Sequence, residues 1–73
     1  MKLYDKIAEQ LKDTVESLGG DVRIEKKALR EGGRGLYPSV VVTIGTLSFH
    51  THRPTLRQCR EDVERWLTVH QGG

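Results

Sequence analysis

His50-Thr51-His52 sets two imidazoles two residues apart, so in an extended strand both lie on one face. Metal sites use that spacing, but zinc needs at least a third protein ligand. The other candidates, Cys59 and His70, fall on a predicted helix, with Cys59 on its apolar stripe. No carboxylate is spaced to pair with either strand histidine. The expectation is therefore no metal site and no cofactor. An imidazole beside an arginine could act as general base in RNA cleavage. The plainer reading makes His50 and His52 exposed strand residues, of the side-chain type that gains charge near neutral pH. A nucleophilic Cys59 is opposed by its apolar setting, and no catalytic residue is assigned.

The chemistry that the sequence offers most strongly is cationic. Lys26, Lys27, Arg30 and Arg34 lie in and after the first predicted strand, and Arg53, Arg57 and Arg60 surround the start of the last predicted helix. The overall charge of +2 hides this clustering. Residues 22–60 contain eight basic groups against Glu25 and Glu31, while both ends of the chain are net acidic. A basic middle between acidic ends suits an anionic partner. Arg57 and Arg60, three apart on a helix, are expected to share a face. If the loop and the helix start lie near each other, five to seven of these cations would span neighbouring phosphates of structured RNA or duplex nucleic acid, DNA included. The bland alternative is a solvated charged face, since Glu61, Asp62 and Glu64 follow directly.

The elements that must position these groups are legible in the pattern. Leu3, Ile7, Ala8, Leu11, Val15 and Leu18 recur at helical spacing and stop at Gly19-Gly20, predicting a helix over 3–18. Val22 and Ile24 alternate with Arg23, Glu25 and Lys27, predicting a strand over 21–29 that bulges or lies at an edge where Lys26 breaks the alternation. Glu31 to Gly35 reads as a loop. Val40, Val42 and Ile44 then face Thr51, Phe49 and Leu47 across a Gly45-Thr46 turn of type II′, with Ser39, Val41 and Thr43 opposite His52, His50 and Ser48 on the other side. Thr55 with Gln58 makes a capping box. Leu56, Cys59, Val63, Trp66 and Leu67 form a second apolar stripe reaching about residue 70. The predicted fold class is α+β: one α-β-β-β-α domain over 1–73, a three-stranded antiparallel sheet with both helices on one face. Its expected core is Val40, Val42, Ile44, Leu47, Phe49, Leu56, Cys59, Val63, Trp66 and Leu67.

Size and composition agree. Seventy-three residues, 36% hydrophobic and 30% charged, suit one small folded domain that buries about 60% of its unfolded surface. The longest apolar run is Val40-Val41-Val42, far short of the roughly 20 residues of a membrane helix. No leader pattern is visible and a single cysteine allows no internal disulfide, so no membrane association and a cytoplasmic setting are expected.

The second half of the chain resembles the double-stranded-RNA-binding domain. That family's middle strands read roughly Pro-x-Phe-x-Val-x-Val, a glycine turn, then Phe; here Pro38 to Ile44, Gly45 and Phe49 are similar. Thr55 stands where the family opens its last helix with Ser, and Arg57 and Arg60 match two of its three phosphate-binding lysines by position. Cys59 matches its small core residue, and Leu56 replaces the first lysine. The motif match covers residues 38–67. The resemblance implies this α-β-β-β-α topology and non-enzymatic binding of duplex RNA. Its fold also serves ribosomal proteins and small mRNA-cleaving toxins of the hic type. The family's Gly-Pro-x-His loop has no counterpart in Gly33-Arg34-Gly35-Leu36-Tyr37. This leaves open a protein partner, with the chain a small regulator or inhibitor of phage or mobile-element origin that uses the open sheet face or a strand edge. A histidine-dependent ribonuclease is the third reading. Monomer and homodimer are both compatible, the dimer pairing through the face bearing Ser39, Val41, Thr43, Ser48 and His50 or through a free strand edge, and expected to weaken at low pH by repulsion between symmetry-related imidazoles.

Overall fold

Leu3–Ser17 forms the first helix, α1, and buries Ile7, Leu11 and Val15 at helical spacing. The chain is seen in a computed structural model that describes residues 2–28 and 35–71. Arg30, Arg34 and the predicted loop from Glu31 to Arg34 lie outside the described residues. At the end of α1, Gly19 N–H donates to Glu16 O and Gly20 N–H to Val15 O, both at 3.0 Å, with Gly19 at φ 78°. This is a Schellman closure, which requires a left-handed residue that glycine adopts without strain. Leu3 and Leu18, at the two ends of the stripe, project beyond the core and are exposed.

Three antiparallel strands follow: β1 (Asp21–Lys27), β2 (Tyr37–Ile44) and β3 (Leu47–His52), in the order β1-β2-β3. The hairpin register is the expected one, Ile44 facing Leu47, Val42 facing Phe49 and Val40 facing Thr51. Gly45 has φ 61° and no described non-glycine residue has positive φ, which fits type II′ rather than type I′. β1 ends at Lys27, short of the predicted Leu29, because its last partner is Tyr37. It pairs without a bulge. Lys26 keeps its place on the helix-facing side by lying over the Tyr4 ring, 4.6 Å from the centroid. Pro38 is accommodated in the central strand because its missing N–H would point past the end of β3, while its carbonyl accepts from Arg53 N–H at 3.3 Å.

The second helix, α2, spans Leu56–Gln71. Thr55 and Gln58 form the capping box: Gln58 N–H donates to Thr55 Oγ1 and Thr55 N–H to Gln58 Oε1, each at 3.3 Å. Both helices lie on one face of the sheet, α1 over β1 and α2 over β2 and β3. The core joins Ile7, Leu11, Val15, Val40, Val42, Leu56, Cys59, Val63 and Leu67. Leu47 is not in it. Beside the turn, beyond the cover of the helices, it is 41% exposed. Phe49 and Trp66 are half-buried and stack on each other, centroids 5.3 Å apart at 16°, at the margin of the core rather than its centre. No described helix is long and apolar enough to cross a membrane.

Candidate nucleic-acid interface

An antiparallel meander between two helices brings certain chain ends together. The start of α1, the end of β1, the start of β2, the end of β3 and the start of α2 meet at one end of the molecule. There Lys26 and Arg57 line one cleft of about 310 Å³ with Leu3, Tyr4, Pro38 and Pro54. Lys27 and His52 meet at the same end, His52 Nε2–H donating to the Lys27 carbonyl at 3.0 Å. That geometry places the proton of a neutral His52 on Nε2, since a carbonyl can only accept. The sequence segment carrying Arg30 and Arg34 joins β1 to β2 from here.

Of the candidate cations among the described residues, each has a carboxylate neighbour except Lys26, which lies over Tyr4. Lys27 pairs with Glu25 at 3.1 Å and Arg57 with Glu61 at 3.8 Å. Both pairs are exposed, and such pairs contribute only about 0–1 kcal/mol, so a phosphate can replace the carboxylate at little cost. Arg53 is held more firmly: its Nε donates to Asp62 Oδ2 at 2.7 Å, and Nη2 approaches Oδ1 at 3.5 Å.

Arg57 and Arg60, expected to share a face, are divided between two clefts. Arg60 turns along α2 towards α1, where Nη1 donates to Gln10 Oε1 at 2.8 Å and Nε, buried, has no hydrogen-bond partner. It lines a groove between the helices with Gln10, Leu11, Thr14 and Val63. The spacing rule places both residues on the solvent side of an isolated helix; only the neighbouring helix decides that the longer reach of Arg60 goes sideways.

On the sheet face away from the helices, Ser39 Oγ and His50 Nε2 lie 2.9 Å apart. A serine beside an imidazole is the start of a nucleophilic pair. Here Ser39 is only 3% exposed and sits in the central strand, so the bond satisfies a buried hydroxyl. No group of three His, Cys, Asp or Glu among the described residues could hold a metal ion. Burial pushes the Cys59 thiol above its usual range, and Sγ points at Pro38 O, 3.6 Å away.

Sequence reasoning missed a second concave feature. Phe49, Thr51, Arg53, Arg65, Trp66, Val69 and His70 line a cleft of about 540 Å³ between β3 and α2, with His50 and His52 at its rim. The available signal was Val69, an apolar residue off the helix stripe. It is 72% exposed. No protein family, curated protein or solved structure matches the chain.

Proposed function

We propose that the protein is a non-enzymatic module that binds duplex or structured RNA through its basic end. One observation carries this reading: Lys26 and Arg57, thirty-one residues apart in the chain, line the same cleft. Lys27 and Arg53 are the chain neighbours of the lining residues Lys26 and Pro54, and Arg30 and Arg34 belong to the connecting segment. Cations drawn from three separate elements suit a curved run of phosphates better than a single helix face does. The resemblance of residues 38–67 to the double-stranded-RNA-binding domain supports the same partner, with Arg57 at one of that family's phosphate-binding positions. Arg60 joins this surface only by leaving Gln10, so its contribution is smaller.

The test is binding to an RNA duplex of about 20 base pairs over a salt series. Lys26→Ala and Arg57→Ala should each weaken binding alike for unrelated sequences and lower the salt slope by about 1. Arg60→Ala should lower it less. Absence of duplex binding at about 50 mM salt ends this reading.

A further inference from the structure

β3 is an edge strand, and its free side carries none of the usual guards. In the II′ hairpin, Ile44–Leu47, Val42–Phe49 and Val40–Thr51 are the hydrogen-bonded pairs. The bond from Arg53 N–H to Pro38 O continues that alternation. The backbone N–H and C=O of Ser48, His50 and His52 therefore point away from the sheet. Natural edges are commonly blocked by lysine, proline, bulges or inward charges. β1, the other edge, has Arg23, Glu25, Lys26 and Lys27 within its seven residues. β3 reads Leu-Ser-Phe-His-Thr-His and bears no permanent charge over about 20 Å of edge.

Directly beside this edge lies the 540 Å³ cleft. The Phe49–Trp66 stack and exposed Val69 supply its apolar surface, and the His70 ring rests 5.2 Å from that of Trp66. Arg53 and Arg65 supply charge. Asp62 is the one carboxylate among the lining residues, and its Oδ2 already accepts from Thr51 and Arg53. A strand added to β3 would set alternate side chains over Trp66 and Val69, between Arg53 and Arg65, and the others beside His50 and His52.

We propose that the β3 edge and this cleft bind an extended acidic segment of a partner protein as a fourth strand of the sheet. Main-chain bonds to Ser48, His50 and His52 would give affinity, and the arginine-flanked apolar cleft would select apolar and acidic side chains. A second copy of this chain fits poorly, because two-fold pairing would bring identical arginine-lined clefts together. A nucleic-acid strand could stack a base on Trp66, but it lacks the alternating amide donors and acceptors that the edge matches. The proposal is independent of RNA binding at the basic end.

Trp66 is the sole tryptophan, so its emission reports occupancy of the cleft. The probe is a capped Glu-Val peptide, Glu-Thr-Val-Thr-Glu-Thr, whose Glu and Val side chains share one strand face, titrated into the intact protein. The expected result is a saturable change in Trp66 emission. The same peptide with alternate amides N-methylated on its edge-facing side should bind at least about tenfold more weakly, as should a Lys-Val version. Arg65→Gln, which removes the charge without setting a second carboxylate beside Asp62, should weaken the acidic peptide while thermal unfolding stays cooperative. Four results overturn the proposal: no change with the Glu-Val peptide, equal binding of the N-methylated peptide, a response to oligo-dT in place of the peptide, or an emission change that follows protein concentration alone.

Discussion

Thr51 donates its hydroxyl hydrogen to Asp62 Oδ2 at 2.7 Å, fastening β3 to the middle of α2 through a threonine that is only 6% exposed. Arg53 Nε meets the same oxygen at 2.7 Å. One carboxylate thus satisfies a buried hydroxyl and fixes the arginine between the basic end and the β3–α2 cleft. The Thr51 hydrogen bond is the largest influence on the Asp62 carboxyl and holds it below the usual 3.8, aided by the Arg53 hydrogen bond and charge and opposed by partial burial.

A depressed carboxyl stabilises the fold above its unfolded value of about 3.9 and loses that contribution as pH falls through the lower folded value. Asp62→Asn should therefore cost about 1–2 kcal/mol at pH 7, the range for a hydrogen bond to a charged group discounted for a half-exposed Arg53. Urea unfolding from pH 7 to pH 2 should show the gap between variant and parent closing below about pH 4. A gap independent of pH would mean that shape, not charge, matters at this position.

The Phe49–Trp66 stack is half-buried, so Phe49→Ala should cost about 2–3 kcal/mol, less than the full core value for a phenylalanine. Trp66 emission in the folded variant should shift to the red as water reaches the ring. Thermal unfolding followed at that wavelength measures both effects.

Gly20 and Gly19 are neighbours that should fail for different reasons. A Cβ on Gly20 would stand 2.5 Å from Ile44 Cγ1 and 2.7 Å from Thr43 O, so Gly20→Ala forces α1 away from the hairpin. With backbone as well as side chain in the way, the cost should be about 3 kcal/mol, above that at Gly19. Gly19 has open space but φ 78°, so Gly19→Ala should cost only the left-handed backbone penalty of about 1–2 kcal/mol. Equal losses at the two sites would contradict the close approach at Gly20.

Cys59 is fully buried, and burial raises its thiol above the usual range, so little thiolate exists at neutral pH. Labelling by a thiol reagent at pH 8 should proceed no faster than global opening, and it should accelerate in step with urea. Fast labelling of the folded protein would show that α2 opens locally.

Arg60 packs its aliphatic stem beside α1; its Nη1 bond to Gln10 Oε1 is exposed, its Nε lacks a partner and Glu64 is 3.6 Å away, so the charge contributes little. Arg60→Met should keep stability within about 0.5 kcal/mol, whereas Arg60→Ala should lose about 1 kcal/mol. Calorimetry on the two variants separates packing from charge.

Local signals were sufficient for every element and for the hairpin register. Gly45 followed by Thr46 accepts one turn type, and only one register keeps Val40, Val42 and Phe49 together; the Thr55–Gln58 box and the Gly19-Gly20 stop likewise act within a few residues. Their outcomes needed no knowledge of distant neighbours. Placement depended on distant neighbours throughout. Leu47 alternates like a core residue, yet it ends exposed because neither helix extends over the turn. Lys26 breaks an alternation, which allows a bulge or a sheet edge; β1 is an edge strand without a bulge, and the Tyr4 ring on α1 accommodates the lysine. Arg57 and Arg60 are equivalent by spacing and unlike in surroundings, because α1 stands beside one and the cleft at the chain ends beside the other. Periodicity determines which side of an element a residue occupies; what lies opposite depends on how the helices cross the sheet, and no local pattern encodes that crossing.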